Sequence, residues 1–195
     1  MNYLAHLHIA DFCKSNLLGN LLGDFVKGSP DGRFQQDIVN GIKLHRFVDS
    51  YTDTHPIVKD LKPLFPDELK RFSPIALDMF WDHCLARHWK HHHKMSLSEF
   101  CLHAESDVKS EETDELPERF LTVSGYMWEG QWLLSYAELS NIQFALKRMA
   151  MRRPRLASLS ECGATLESEY KALNQAFHTL YPDVLNNAKA FYSSL

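Results

Sequence analysis

The segment Ile75–Trp89, IALDMFWDHCLARHW, is apolar on nearly every face, yet it carries Asp78, Asp82 and His83. A helix that is hydrophobic all round has to be buried, so the rest of the chain must wrap it. The wrapping material is itself helical. Leu17, Leu18, Leu21, Leu22 and Val26 recur near helical spacing. Further helices are predicted over residues 2–10, 15–27, 36–54, 74–93, 117–134, 137–152, 160–179 and 182–193. Ser96 and Glu99 form a capping-box pattern that opens one more. Gly28–Gly32 is a loop, and His55-Pro56 and Pro154 are stops. Nothing reads as a strand. The expectation is one all-α domain over residues 1–195, a bundle of roughly seven to nine helices.

Composition narrows the function classes. A net charge of −4 argues against a general nucleic-acid binder. No apolar run approaches the ~20 residues that cross a bilayer, and the start, MNYLAHLHIADF, lacks a basic region and a long apolar core. The four cysteines, Cys13, Cys84, Cys101 and Cys162, show no C-x-x-C spacing, which disfavours a thiolate zinc site. A cytoplasmic protein with free thiols is expected, its oligomeric state open. Glu105–Glu118, with seven acids and one lysine, reads as a solvated helix end or loop.

The 11 histidines are unevenly placed, several of them beside aspartates. In the apolar segment, Asp78 and Asp82 are one turn apart and share a face, with His83 next to them. Isolated buried carboxylates cost several kcal/mol, so they need a cation or a basic partner. A divalent metal meets that demand, and so does a buried arginine. In GIKLHRFVDSYTDTH, His45 and Asp49 are again one turn apart, and Asp53 extends the stripe. Both can reach one ion, or the acid can orient the ring. Asp24 follows Gly19 and Gly23, whose spacing suits close helix approach or local unwinding, and either would aim the acid inward. His6 and His8 lie on different helical faces, so one of them at most points at any site. Carboxylate with imidazole suits Mn²⁺, Fe²⁺, Zn²⁺ or Mg²⁺.

At these same segments, MNYLAHLHIA, SNLLGNLLGDFVKG, GIKLHRFVDSYTDTHP and DMFWDHCLARHW, the chain resembles the acyl carrier protein phosphodiesterase family. The resemblance covers most of the chain and is strongest over residues 1–90. It implies hydrolysis of the phosphodiester that links 4′-phosphopantetheine to a serine of holo-acyl carrier protein. It also implies a divalent metal, usually manganese, and an all-helical fold related to the HD-domain phosphohydrolases. The usual HD order has a His-Asp pair, whereas this chain has Asp24, then His45, then the reversed pair Asp82-His83. Matching the family's motifs makes Asp24, His45, Asp82, His83 and His6 the expected metal ligands. Asp24, Asp49 and Asp78 become the expected catalytic acids. Arg46, or Lys27, could neutralise phosphate charge.

A carrier protein is acidic, so a basic face is expected. Lys147, Arg148, Arg152, Arg153 and Arg155 lie in one run that contains no acid. Arg87–Lys94 is a second, partly titratable stretch. Two other functions fit the residues alone: a metal phosphohydrolase for a nucleotide or another small phosphodiester, and a non-enzymatic helical binding module.

Overall fold

The computed structural model describes residues 1–113 and 115–195, so Asp114 of the acidic stretch lies outside the described residues. Among them there is no strand. Eleven α-helices succeed one another: α1 (Tyr3–Cys13), α2 (Leu17–Leu22), α3 (Gln36–Thr54), α4 (Pro56–Leu61), α5 (Ser73–Arg87), α6 (Leu97–Glu111), α7 (Glu118–Glu129), α8 (Trp132–Ser135), α9 (Leu139–Arg152), α10 (Cys162–Ser168) and α11 (Tyr170–Tyr192). The all-α expectation holds, and the larger count comes from the division of the 117–134 stretch into α7 and α8 and from the short α4.

The stretch expected over 117–134 divides at Gly130-Gln131, where Gln131 takes a left-handed φ of 49°. The stretch expected over 15–27 stops at Leu22, whose carbonyl accepts both Phe25 N–H (2.9 Å) and Val26 N–H (3.0 Å) in a tight turn. That over 74–93 ends at Arg87 and continues as a 3₁₀ turn, Trp89–His91. Pro182 does the opposite. It opens the helix expected over 182–193 but lies inside α11, where buried Leu180, Tyr181 and Val184 hold the helix across the missing N–H.

The apolar helix is buried, as its composition requires. Every residue of α5 from Met79 to Ala86 is buried. Trp81 stacks on Phe177 of α11 with ring centroids 6.2 Å apart. On another side lies α1, whose residues Leu4 to Ala10 are all buried, His6 and His8 included. The side chain of the N-cap residue Asn2 makes no capping bond. Asp82 supplies the cap from α5, accepting the N–H groups of Leu4 (2.7 Å), Ala5 (3.1 Å) and Asn2 (3.3 Å). These are the N–H groups that a helix start leaves without partners.

α2 lies on α3 through glycine. A Cβ on Gly19 would stand 2.4 Å from the Ile38 carbonyl oxygen and 3.0 Å from the Gly41 Cα. The close approach anticipated for Gly19 is therefore real. It sets the turn carrying Asp24 beside the middle of α3.

Candidate metal centre

His45 and Asp49 project from one face of α3, one turn apart, and α1 crosses so that His6 faces both. One ligand atom from each of His6, His45 and Asp49 lies within 4.8 Å of the others. His6 Nε2 is 3.0 Å from Asp49 Oδ1, and His45 Nε2 is 3.1 Å from Asp49 Oδ2. The two imidazoles stack at 3.7 Å, 17° from parallel. Gly23 makes room for this, since a Cβ there would fall 2.2 Å from the His45 ring. His45 Nδ1–H donates to the Asn20 carbonyl at 2.7 Å, which turns Nε2 toward the centre. Asp24 stands at the rim, its side chain 58% exposed, with Oδ1 3.5 Å from His45 Nε2. The glycines thus bring Asp24 to the mouth of the centre instead of aiming it inward.

The charges are settled by burial and by these neighbours. Burial, helped by the facing His45, drives His6 down to about 4, so its ring is neutral. Burial opposes charge on His45 too, but the carboxylates of Asp24 and Asp49 beside it outweigh it and lift the ring to about 9. Burial would raise Asp49, yet the two imidazoles hold it far below the usual carboxylate range. Asp24 is lowered chiefly by the His45 imidazole beside it.

A divalent cation fits these residues. Two imidazoles and a carboxylate converge, and one ring has its orientation fixed by a backbone carbonyl. His45 Nε2 and His6 Nδ1 are buried without a well-formed hydrogen bond. Polar atoms sealed from water usually find partners, so the orphaned His45 nitrogen beside two acids marks a place for a cation.

The remaining expected site residues fall around this centre or away from it. Asp78 receives the Met1 amino group at 2.5 Å, and that amine is also 3.6 Å from Asp49. Burial works against the amine, but Asp78 and Asp49 raise it to about 10, while burial raises Asp78 to about 6. Asp82 does not join the cluster, because its carboxylate caps α1. Burial pushes it up to about 7 in spite of its three N–H donors. His83 does not join either. Its Nδ1–H donates to the Tyr136 carbonyl (2.8 Å) and its Nε2 accepts from the Tyr170 hydroxyl (3.0 Å), so both nitrogens are used in the core. His8 is held in the same way, by the Tyr181 hydroxyl and the His92 carbonyl. Arg46 donates to the carbonyls of Val26 and Gly28, pinning the chain just after Asp24. Lys147, Arg148, Arg152, Arg153 and Arg155 are all exposed, and none pairs with an acid among the described residues.

Sequence reasoning passed over the Met1 amine, the Asn20 carbonyl and Tyr3. Tyr3 lies one turn before His6 on the same face of α1. Burial raises its phenol to about 12, with Asp24 adding to the rise and the charges of Arg119 and Arg153 opposing it. Its i,i+3 spacing from His6 was the available signal.

Together these features define an all-helical protein with a buried two-histidine, one-carboxylate centre that opens to solvent past Asp24. The family model described as acyl carrier protein phosphodiesterase matches residues 1–184. Proteins of that name from Yersinia pestis (44% identical over 97% of this chain and 98% of the relative) and Pectobacterium atrosepticum (45%, the same coverage) align along the whole length. One from Escherichia coli O6:H1 is 42% identical over 96% of this chain and 97% of its own. The chain belongs to the acyl carrier protein phosphodiesterase family. No solved structure matches it.

Proposed function

We propose that this protein hydrolyses the phosphodiester joining 4′-phosphopantetheine to a serine of holo-acyl carrier protein, with a divalent cation, Mn²⁺ above all, held by His6, His45 and Asp49. The products are apo-carrier protein and free 4′-phosphopantetheine. The observation that carries the reading is the convergence of those three side chains in a chain of this family.

A bound cation supplies an acidified water and a counter-charge for the phosphoryl oxygens. The protein does the rest. His45 is oriented through Nδ1 by the Asn20 carbonyl, and its Nε2 proton must leave before that atom can ligate. Asp24, ionised and exposed at the rim, accepts at its carboxylate the proton of the attacking water. Asp49 is committed to both imidazoles and Asp78 to the Met1 amine, so neither is as free for that task. Arg46 is occupied by two carbonyls, which leaves Arg119, 5.6 Å above the Phe25 ring, to meet the phosphodiester's charge.

The basic run supports a carrier-protein partner. Its five cations share one stretch of chain with Met151, 85% exposed, and Arg148 lies over the ring of Phe144, 57% exposed, at 5.7 Å. Cations set around exposed apolar side chains complement an acidic amphipathic surface.

The test is the mass of holo-carrier protein after incubation with the enzyme and Mn²⁺, with EDTA in place of metal, and with an Asp49→Ala variant. Loss of the phosphopantetheine mass in the first arm alone is expected. An unchanged mass with folded, metal-loaded enzyme rejects the carrier-protein substrate.

A further inference from the structure

Histidines from the stretch Arg87–Lys94 meet another on α11. α5 stops at Arg87, and the chain turns through the 3₁₀ segment Trp89–His91. Buried Trp89 anchors that turn, its indole N–H donating to the Met95 carbonyl at 2.9 Å. In a 3₁₀ turn side chains three apart eclipse, so His88 and His91 stand on one side. Their rings are 19° from parallel, with centroids 6.3 Å apart. On α11, buried Leu173, Phe177 and Leu180 hold the inner face against the core. That leaves Asn174 and His178, one turn apart, at the helix's edge. The His178 ring lies 4.8 Å from the His88 ring, inclined at 59°. Both imidazoles reach for one amide. His88 Nε2–H donates to Asn174 Oδ1 at 3.0 Å, and the Asn174 amide N–H approaches His178 Nε2 at 3.4 Å. His55, His93 and His103 each face an aspartate, whereas His88, His91 and His178 face none among the described residues.

We propose that His88, His91 and His178 form a second metal site, built from none of the residues of the His6–His45–Asp49 centre, which takes Zn²⁺ or a similar late first-row divalent cation and not Mn²⁺. Spacing carries the inference. With metal–nitrogen bonds of about 2.0–2.1 Å, two imidazoles on one tetrahedral ion hold their ring centroids about 5 Å apart. His88 and His178 already stand at that separation. His91 is exposed, so rotation of its side chain can close the remaining distance of about 1 Å to His88. The half-buried Asn174 amide bridges two of the rings. An ion in its place exchanges those two hydrogen bonds for two metal–nitrogen bonds, and the amide turns to water. A water completes the tetrahedron, as it does at other sites with three protein ligands. The donor set selects the metal. Imidazoles without a carboxylate suit Zn²⁺, Cu²⁺ or Ni²⁺, whereas Mn²⁺ and Mg²⁺ seek oxygen. The centre has that oxygen in Asp49, and this site lacks it. An ion here ties the turn after α5 to α11.

The experiment titrates the full chain, without an affinity tag and stripped of metal, with Zn²⁺ and separately with Mn²⁺ in a calorimeter at pH 7.5. His91→Gln and His178→Gln remove exposed rings, and circular dichroism checks that both variants fold. The expected result is one Zn²⁺ fewer per chain in His178→Gln than in the unaltered protein. In His91→Gln the same site should weaken about tenfold or more. Mn²⁺ stoichiometry should be the same in all three proteins. Zn²⁺ binding that is equal in number and affinity across the three overturns the site. Loss of a Mn²⁺ equivalent in either variant also overturns it, because these histidines would then serve the centre. A crystal of the unaltered protein grown with Zn²⁺ decides the matter without any variant. An anomalous difference peak at the zinc edge, bonded to His88 and His178, is expected, and a map without that peak refutes the proposal.

Discussion

Replacing Asp82 separates a helix cap from a metal ligand, because the two roles predict opposite outcomes. Its carboxylate receives three backbone N–H groups at the start of α1, and it lies outside the His6–His45–Asp49 cluster. In Asp82→Asn the side-chain oxygen can still accept from Asn2 and Ala5, but the amide nitrogen then faces the N–H of Leu4. A buried donor left without an acceptor costs about 2 kcal/mol. In Asp82→Ala all three donors are orphaned, and the loss reaches about 4 kcal/mol once the cap itself is counted. For a domain of this size each kcal/mol moves Tm by about 3 °C, so Asn should lower it by about 6 °C and Ala by about 12 °C. Circular dichroism at 222 nm tracks Tm, and calorimetric titration with Mn²⁺ gives the stoichiometry. The Asn variant is expected to melt early and still bind Mn²⁺ as fully as the unaltered protein. A variant that melts at the wild-type temperature but has lost its metal would refute the capping argument and return Asp82 to the centre.

The same geometry sets four further outcomes. Gly23→Ala drives a methyl into the His45 ring and should weaken Mn²⁺ binding at least tenfold, read by titration; unchanged affinity would mean that the ring can move aside freely. Asp24→Asn, at an exposed rim, should leave Tm within about 1 °C and lower kcat about 100-fold, in the usual range for a lost general base. His45 is raised to about 9 without metal, and its proton must leave for the metal to bind. Apparent Mn²⁺ affinity should therefore climb about tenfold per pH unit from pH 6 to 8, with one proton released per ion in calorimetry across buffers of different ionisation enthalpy. Reversing Arg152, Arg153 and Arg155 to Glu should raise KM for holo-carrier protein about tenfold at low salt, and a KM indifferent to the change would place docking on another face.

What could be seen in the sequence was what depends on near neighbours. The bounds of α3, Gln36–Thr54, coincide with the expected segment, and the one-turn spacing of His45 and Asp49 already placed them on a common face. Gly19 announced a close helix approach, and the composition of the Ile75–Trp89 segment announced a buried helix. What stayed hidden depends on partners far along the chain. Asp82 and His83 sit beside each other in the family motif, but their roles are set by Leu4, 78 residues away, and by Tyr170, 87 residues away. No local pattern distinguishes a buried acid that caps a distant helix from one that binds a cation, since both answer the same need for compensating positive charge. Arg46 was hidden for a related reason. A cation near an anion site suggests phosphate, whereas here it pins the backbone after Asp24.

α1 is tied in three directions. His6 reaches α3, the helix's first N–H groups reach α5, and His8 reaches Tyr181 on α11. Each tie leaves the helix at a different azimuth, so together they fix its rotation as well as its position. One residue inserted between Tyr3 and His8 would rotate the C-terminal half of the helix by about 100° relative to its N-terminal half. The cap could then be kept or the histidines could be kept, but not both. Spacing within α1 is therefore under tighter constraint than the identity of its apolar residues, which can trade volume for volume. Insertions and deletions are the changes this short helix can least absorb.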